Sequence, residues 1–274
     1  MRRALLIIAA QLIAFWPVWR WYAARVGGST DEAWGLLPAF ACVAYFIWRG
    51  KTAESDTVKP GLLFPVLLVL TYAASYQFLP PLLRAVVAVT AVGCTASLLR
   101  FGRRFHPGIL GLLYLSLPLI PSLQFYGGYP LRAFVAMAAA PLLRLGGFAV
   151  VQEGTCLNWA GRLIWVDAPC SGIRMLWVGM FVACALACLY ELRPLRTLLA
   201  LATAFVVILS GNVLRAAALF YIEAGIVRQA PPWAHDYIGF VSFAAVAASI
   251  MLAVRQIERF RRCDINSFTP EPAY

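Results

Sequence analysis

Charge is what this 274-residue chain has least of: 13% of its residues are Asp, Glu, Lys or Arg, against 62% hydrophobic. Soluble domains carry about 25% charged and ~45–50% apolar residues. A surface this poor in charge cannot be covered in water, which excludes a soluble fold. Disordered, collagen-like and coiled-coil classes fall for the same reason. Histidine is nearly absent, with only His106 and His235, and no Cys-x-x-Cys pair occurs. A zinc site is therefore not expected, nor any other metal or cofactor. The seven cysteines (Cys42, Cys94, Cys156, Cys170, Cys184, Cys188, Cys263) are odd in number and lie mostly in or beside apolar runs, which argues against a disulfide framework. The sequence also lacks an internal repeat, a low-complexity linker and a compact basic region. Its net charge of +11 thus points to anionic lipid head groups and not to nucleic acid.

What it does contain is apolar stretches near the ~20 residues that cross a bilayer. Eight are read: 4–20, 33–48, 61–79, 85–99, 107–126, 172–190, 197–222 and 237–254. They predict an all-α polytopic membrane protein forming one integral membrane domain over 1–274. Five spans occupy 1–126, an extracytoplasmic segment 127–171, three further spans 172–254 and a basic cytoplasmic tail 255–274. The first stretch reads as an uncleaved span, since the rest of the chain repeats such segments. Alternate loops collect 14 of the 23 Lys and Arg on one side, which predicts cytoplasmic termini, with 127–171 and 223–236 outside.

Inside the outer segment, 129–147 reads as an interfacial helix. Leu131, Phe134, Val135, Leu142 and Leu145 recur at helical spacing beside Arg132 and Arg144, and Pro141 argues against a full span. The stretches 148–151 and 162–166 read as the two strands of a short hairpin. Gly154 and Asn158-Trp159-Ala160-Gly161 supply its turn chemistry.

Three residues depart from what a lipid-embedded chain needs. Cys170, framed by Pro169 and Gly172, stands at or just before the start of an apolar helix. Unpaired N–H groups and the helix dipole favour a thiolate there. Arg174, about one turn on, adds to that field. The other cysteines read as packing residues; Cys156 lies outside but has no helix start. Arg215 lies about ~10 Å below the outer end of the seventh span at 1.5 Å per residue. An intramembrane arginine is functional by default, although snorkelling or pairing with Glu223 is the structural alternative. Asn212 lies one turn away on the same face. His235 precedes the last span, and imidazoles titrate near ~6.5, so one can move protons at neutral pH; Asp236 is placed to orient it. His106 falls on the opposite side and reads as structural. A nucleophilic thiol, an imidazole and a cation for an oxyanion are the parts of cysteine acyl-transfer chemistry.

Asp167-Ala168-Pro169-Cys170-Ser171-Gly172-Ile173-Arg174, Asn212-x-x-Arg215 and His235-x-x-x-Gly239 resemble the three signature blocks of the exosortase/archaeosortase family, in the same order and setting. The resemblance covers 129–254 well and the earlier spans by hydropathy. Pro169 departs from the small residue the family more usually has before its cysteine, which marks a divergent bacterial subgroup. The resemblance implies a multi-pass inner-membrane cysteine peptidase or transpeptidase with its active site facing the periplasm. Its partners would be the bilayer and membrane-anchored proteins bearing C-terminal sorting signals of the PEP-CTERM type: a Pro-Glu-Pro motif, an apolar span and a basic cluster. Cys170 would form a thioester, His235 move the proton and Arg215 stabilise the oxyanion or orient substrate. Asn212, Arg174, Ser171 and Asp236 would support them. The chain's own Thr269-Pro270-Glu271-Pro272 follows its basic cluster with no span after it, and reads as coincidence.

Two other classes compete. A transporter or channel would put Arg215 in the substrate path and predicts paired broken helices; only 107–126, with Pro118 and Pro121, is broken. A structural subunit of a secretion or polysaccharide assembly would use Cys170 for packing alone.

Overall fold

Pro17 stands near the end of the first apolar stretch, two residues after Phe15. A proline cannot donate to the carbonyl four residues back, and its ring clashes there. The computed structural model describes residues 2–28, 30–49, 63–102, 105–166, 172–227 and 230–266, with side chains over 6–28, 32–49, 63–102, 105–166, 172–227 and 230–260. In place of a single span over 4–20 it has two helices, α1 (Arg2–Ala14) and α2 (Trp16–Gly28), bent by 67° at Phe15. Phe15 is fully buried and meets Tyr72 edge to face at 4.8 Å. There follow α3 (Thr30–Ala33), α4 (Leu36–Trp48), α5 (Leu63–Ser75), α6 (Pro81–Phe101), α7 (Pro107–Ser116) and α8 (Ile120–Leu145). Then come the strands β1 (Val150–Glu153), β2 (Cys156–Trp159) and β3 (Arg162–Trp165), and the helices α9 (Ile173–Leu189), α10 (Pro194–Glu223) and α11 (Ala234–Asn266).

The protein is mostly helical, but the number of spans differs from eight. Among the described residues three helices are long and apolar enough to cross a membrane: α6, α10 and α11 through Phe260. The number reaches five if α1 with α2 and α7 with α8 each make one span. The apolar helices α4 and α5 have 13 residues each and α9 has 17. At 1.5 Å per residue, 13 residues cover about 20 Å of a ~30 Å hydrocarbon core. Hydropathy counts apolar residues and is blind to where the helical hydrogen bonds stop.

The interfacial helix expected over 129–147 also has different bounds. Helix α8 begins at Ile120 and runs through Gly127-Gly128, Pro130 and Pro141 to Leu145. The break falls earlier, at Leu117, whose extended backbone (φ −72°, ψ 154°) is what a residue before proline prefers. Pro121 then occupies the first turn of α8, where a missing N–H costs nothing.

The two-stranded hairpin is a three-stranded antiparallel sheet in the order β1-β2-β3, with Val151 opposite Asn158 and Leu157 opposite Ile164. Asn158 and Trp159, read as turn residues, belong to β2. Only Ala160 and Gly161 turn, both at positive φ (51° and 78°), as a two-residue type I′ connection requires.

The chain divides into two compact units. One comprises Met1–Pro121 with Cys184–Leu198, the other Ser122–Ala183 with Leu199–Tyr274. In the first, Ala85, Ala88, Val89 and Ala91 of α6 pack around Phe15 and Val18. Gly108 and Gly111 of α7 lie directly against the sulfurs of Cys188 and Cys184, so these two cysteines fill a close helix contact between small residues. His106 is buried and caps α7, its Nδ1 accepting from the Ile109 amide at 3.4 Å. In the second unit, Val135, Ala139 and Leu143 of α8, Val150, Leu157 and Ile164 of the sheet, and Val213, Ala216 and Phe220 of α10 form one core. Phe148, Trp159, Phe220 and Tyr221 interlock above it at ring distances of 5.3 to 6.1 Å. The sheet is therefore part of that core.

Candidate active site

Gly172 opens α9 with φ +79°, a left-handed conformation that only glycine takes freely. Its carbonyl accepts the first helical bond, from the Leu176 amide at 2.7 Å. It is also buried in a close contact: a Cβ at this position would lie 2.6 Å from Nδ2 of Asn212. Asn212 is 2% exposed, and a carboxamide so deep in an apolar helix must be hydrogen-bonded to be tolerated. The start of α9 and the middle of α10 are thereby locked together by an amide set against a bare backbone.

One turn further along α10, Arg215 reaches α11. A Cβ at Gly239 would lie 3.5 Å from Nη2 and 3.7 Å from Nε of Arg215. The guanidinium therefore lies over the surface that this glycine leaves open. Arg215 is half-buried, with its Nε fully enclosed. Eight residues of helix follow it in α10, about 12 Å at 1.5 Å per residue, close to the depth inferred from the sequence.

His235 lies in the first turn of α11, four residues before Gly239 and so on the same face of the helix. It lines a small cavity of about 30 Å³ together with Leu157, Trp165, Leu219, Phe220 and Glu223. That volume suits a single water molecule. Asp236 is 3.6 Å from His235 Nδ1 and its side chain is 93% exposed, a separation beyond hydrogen-bond range. Glu223 lies at the end of α10, two turns beyond Arg215, on the edge of the same cavity as the imidazole. From the sequence Glu223 reads only as a partner for Arg215; the 215, 219, 223 spacing is the sign that it shares that face.

The sheet carries one wall of the site. Arg162 of β3 donates from Nη1 to the Ala224 carbonyl at 3.0 Å, pinning the strand to the C-terminal end of α10. Arg144 of α8 does the same to Val150 of β1, Nε to the carbonyl at 2.8 Å. Asn212 thus meets Gly172, Arg215 meets Gly239, and His235 lines a cavity with residues of the sheet and of α10. Arg174 is exposed in the first turn of α9. Cys170 and Ser171 lie outside the described residues. Among the described residues no three His, Cys, Asp or Glu side chains gather in a way that could hold a metal ion.

In comparison with known families, the family model described as Transmembrane exosortase (Exosortase_EpsH) matches residues 3–252. No curated protein and no solved structure gives a significant match.

Proposed function

Since this chain belongs to the transmembrane exosortase family, we propose that it is a membrane cysteine peptidase or transpeptidase that cleaves C-terminal sorting signals of the PEP-CTERM type from exported, membrane-anchored proteins. The Cys170 thiolate attacks the scissile carbonyl carbon, and the negative charge on the carbonyl oxygen faces Arg215. Collapse of the tetrahedral adduct breaks the C–N bond, the leaving amine takes a proton from the His235 imidazolium, and a thioester remains on Cys170. His235, now neutral, takes a proton from water or an acceptor amine, which attacks the thioester and returns the thiol. Asn212 positions the backbone before α9, and Arg174 and Ser171 flank the nucleophile. Asp236 is the first-turn carboxylate next to the imidazole.

The observation that carries this reading is the stacking of Arg215 on Gly239, one helical turn from His235. It supports an imidazole and a guanidinium acting on one reacting group. Gly172 adds to it, because it touches Asn212 and two fully extended residues span at most about 7 Å. We place the enzyme in a bacterial inner membrane as a single multi-pass domain, with both termini cytoplasmic and the site on the periplasmic side. The deciding experiment is co-expression of the chain with a candidate substrate carrying such a signal, followed by mass spectrometry. A substrate fragment bound covalently to Cys170, and no processing by a normally inserted Cys170→Ala variant, are expected. Full processing by Cys170→Ala would end the thiol mechanism and leave a transporter or structural role.

A further inference from the structure

A second cavity belongs to the unit formed by Met1–Pro121 and Cys184–Leu198, which contains none of Asn212, Arg215 and His235. Its volume is about 560 Å³ and its walls are apolar, with Leu12, Trp19, Val43, Val92 and Leu113 contributed by five different helices. Val43 is 56% exposed and Leu12 42%, so the cavity is a groove that opens on the surface. One charged side chain lines it, Arg100, in the last turn of α6.

Arg100 is held in place. Its Nη2 donates to the Phe46 carbonyl at 2.8 Å, and the neighbouring Phe101 ring stacks on Phe46 at 5.7 Å. Its Nε is buried without a hydrogen-bond partner, and among the described residues no carboxylate pairs with it. Arg49, three residues on from Phe46, is by contrast paired with Glu191 at 3.0 Å. A half-buried guanidinium without a counter-charge is unfavourable in an apolar setting. The groove also has a definite length. Along α6 it runs from Val89 to Arg100, about 16 Å at 1.5 Å per residue. That is half of a ~30 Å hydrocarbon core, the depth of one leaflet, and too short for a helix that crosses both.

We propose that this groove binds an anionic glycerophospholipid, with one acyl chain along α6 and the phosphate on Arg100. With Nη2 engaged by the Phe46 carbonyl, the Nη1–H groups supply the charge-assisted hydrogen bonds that arginine makes to phosphate. The site is independent of the reaction proposed above.

Native mass spectrometry of the full chain in detergent, titrated with dioleoylphosphatidylglycerol or dioleoylphosphatidylcholine, tests it. One tightly held phosphatidylglycerol is expected, with phosphatidylcholine weaker by about tenfold, because the choline cation next to its phosphate cancels the net charge that would neutralise Arg100. Arg100→Gln should erase that preference. Val43→Trp, which fills the groove from its exposed rim, should weaken both lipids in a chain that still folds. Equal binding of the two lipids by the unaltered protein, or undiminished lipid retention in Val43→Trp, would overturn the proposal. Displacement of the lipid by inorganic phosphate alone would also overturn it, because the acyl chain would then contribute nothing.

Discussion

Arg215 occupies the position where charge is least expected, and it approaches α11 at Gly239, where a Cβ would lie 3.5 Å from Nη2. If it faces the developing oxyanion, Arg215→Gln should lower substrate processing by about 10²–10³-fold, the range seen when one oxyanion donor is removed. Membrane insertion should be unchanged, and a variant retaining full activity would remove Arg215 from the reaction. Two carboxylates compete for His235. Asp236 is almost fully exposed and 3.6 Å away, whereas Glu223 shares the imidazole's cavity. Glu223→Gln should therefore slow processing several-fold more than Asp236→Asn, measured as kcat on the same peptide substrate. As a base, His235 works only when neutral, so processing should decline as the medium is acidified. An acid limb that persists in His235→Gln would belong to another group. At this scale the sequence singled out Asn212, Arg215 and His235 because each is polar in an apolar setting. It could not choose between Glu223 and Asp236, because adjacency in sequence is not orientation in space.

Elements are where hydropathy misled most. The break at Pro118 in 107–126 is legible in the sequence, whereas the bend at Phe15, beside Pro17, interrupts an apolar run that hydropathy reads as continuous, and Gly127-Gly128 looks like an exit from the bilayer while α8 continues past it. Proline acts on the backbone at a point, whereas a hydropathy window averages over it. The sheet shows the same limit. Asn158 and Trp159 have turn-like neighbours, yet Trp159 packs against Phe148 and Phe220, and that aromatic cluster decides in favour of a strand. The start of α9 rests on Gly172. Gly172→Ala places a methyl group at φ +79° against the Asn212 carboxamide. A destabilisation of about 1–2 kcal/mol follows from the left-handed conformation alone, readable as a lowered Tm of the solubilised protein. Gly239→Val should leave the fold intact and reduce activity, since a Cβ already lies 3.5 Å from Arg215 and further branches would push the guanidinium aside. An unchanged rate would mean that Arg215 need not lie on α11.

For the whole molecule, the arginine pattern makes a prediction about sides. Val151 of β1 is 55% exposed and Leu195 at the start of α10 is 79% exposed. In a Cys170→Ala, Cys263→Ser background, where the described cysteines are all buried, Val151→Cys should react with a membrane-impermeant thiol reagent in intact cells. Leu195→Cys should react only after permeabilisation. Equal labelling of the two would contradict the proposed orientation and, with it, a periplasmic site.

What the amino-acid sequence determined on its own was the solvent and which polar residues stand out in it. A chain 62% hydrophobic and 13% charged can be satisfied only by lipid, and a few polar residues in such a chain stand out because burying them is expensive wherever they fall. Tertiary structure alone decided which helices end short and which strands pair. It also decided which residues meet Arg215 and His235, and that an apolar groove ends at Arg100. Those outcomes depend on close approach between segments far apart in the chain, at Gly172 with Asn212 and at Gly239 with Arg215. Contact at that range is set by packing, which no local window of residues contains.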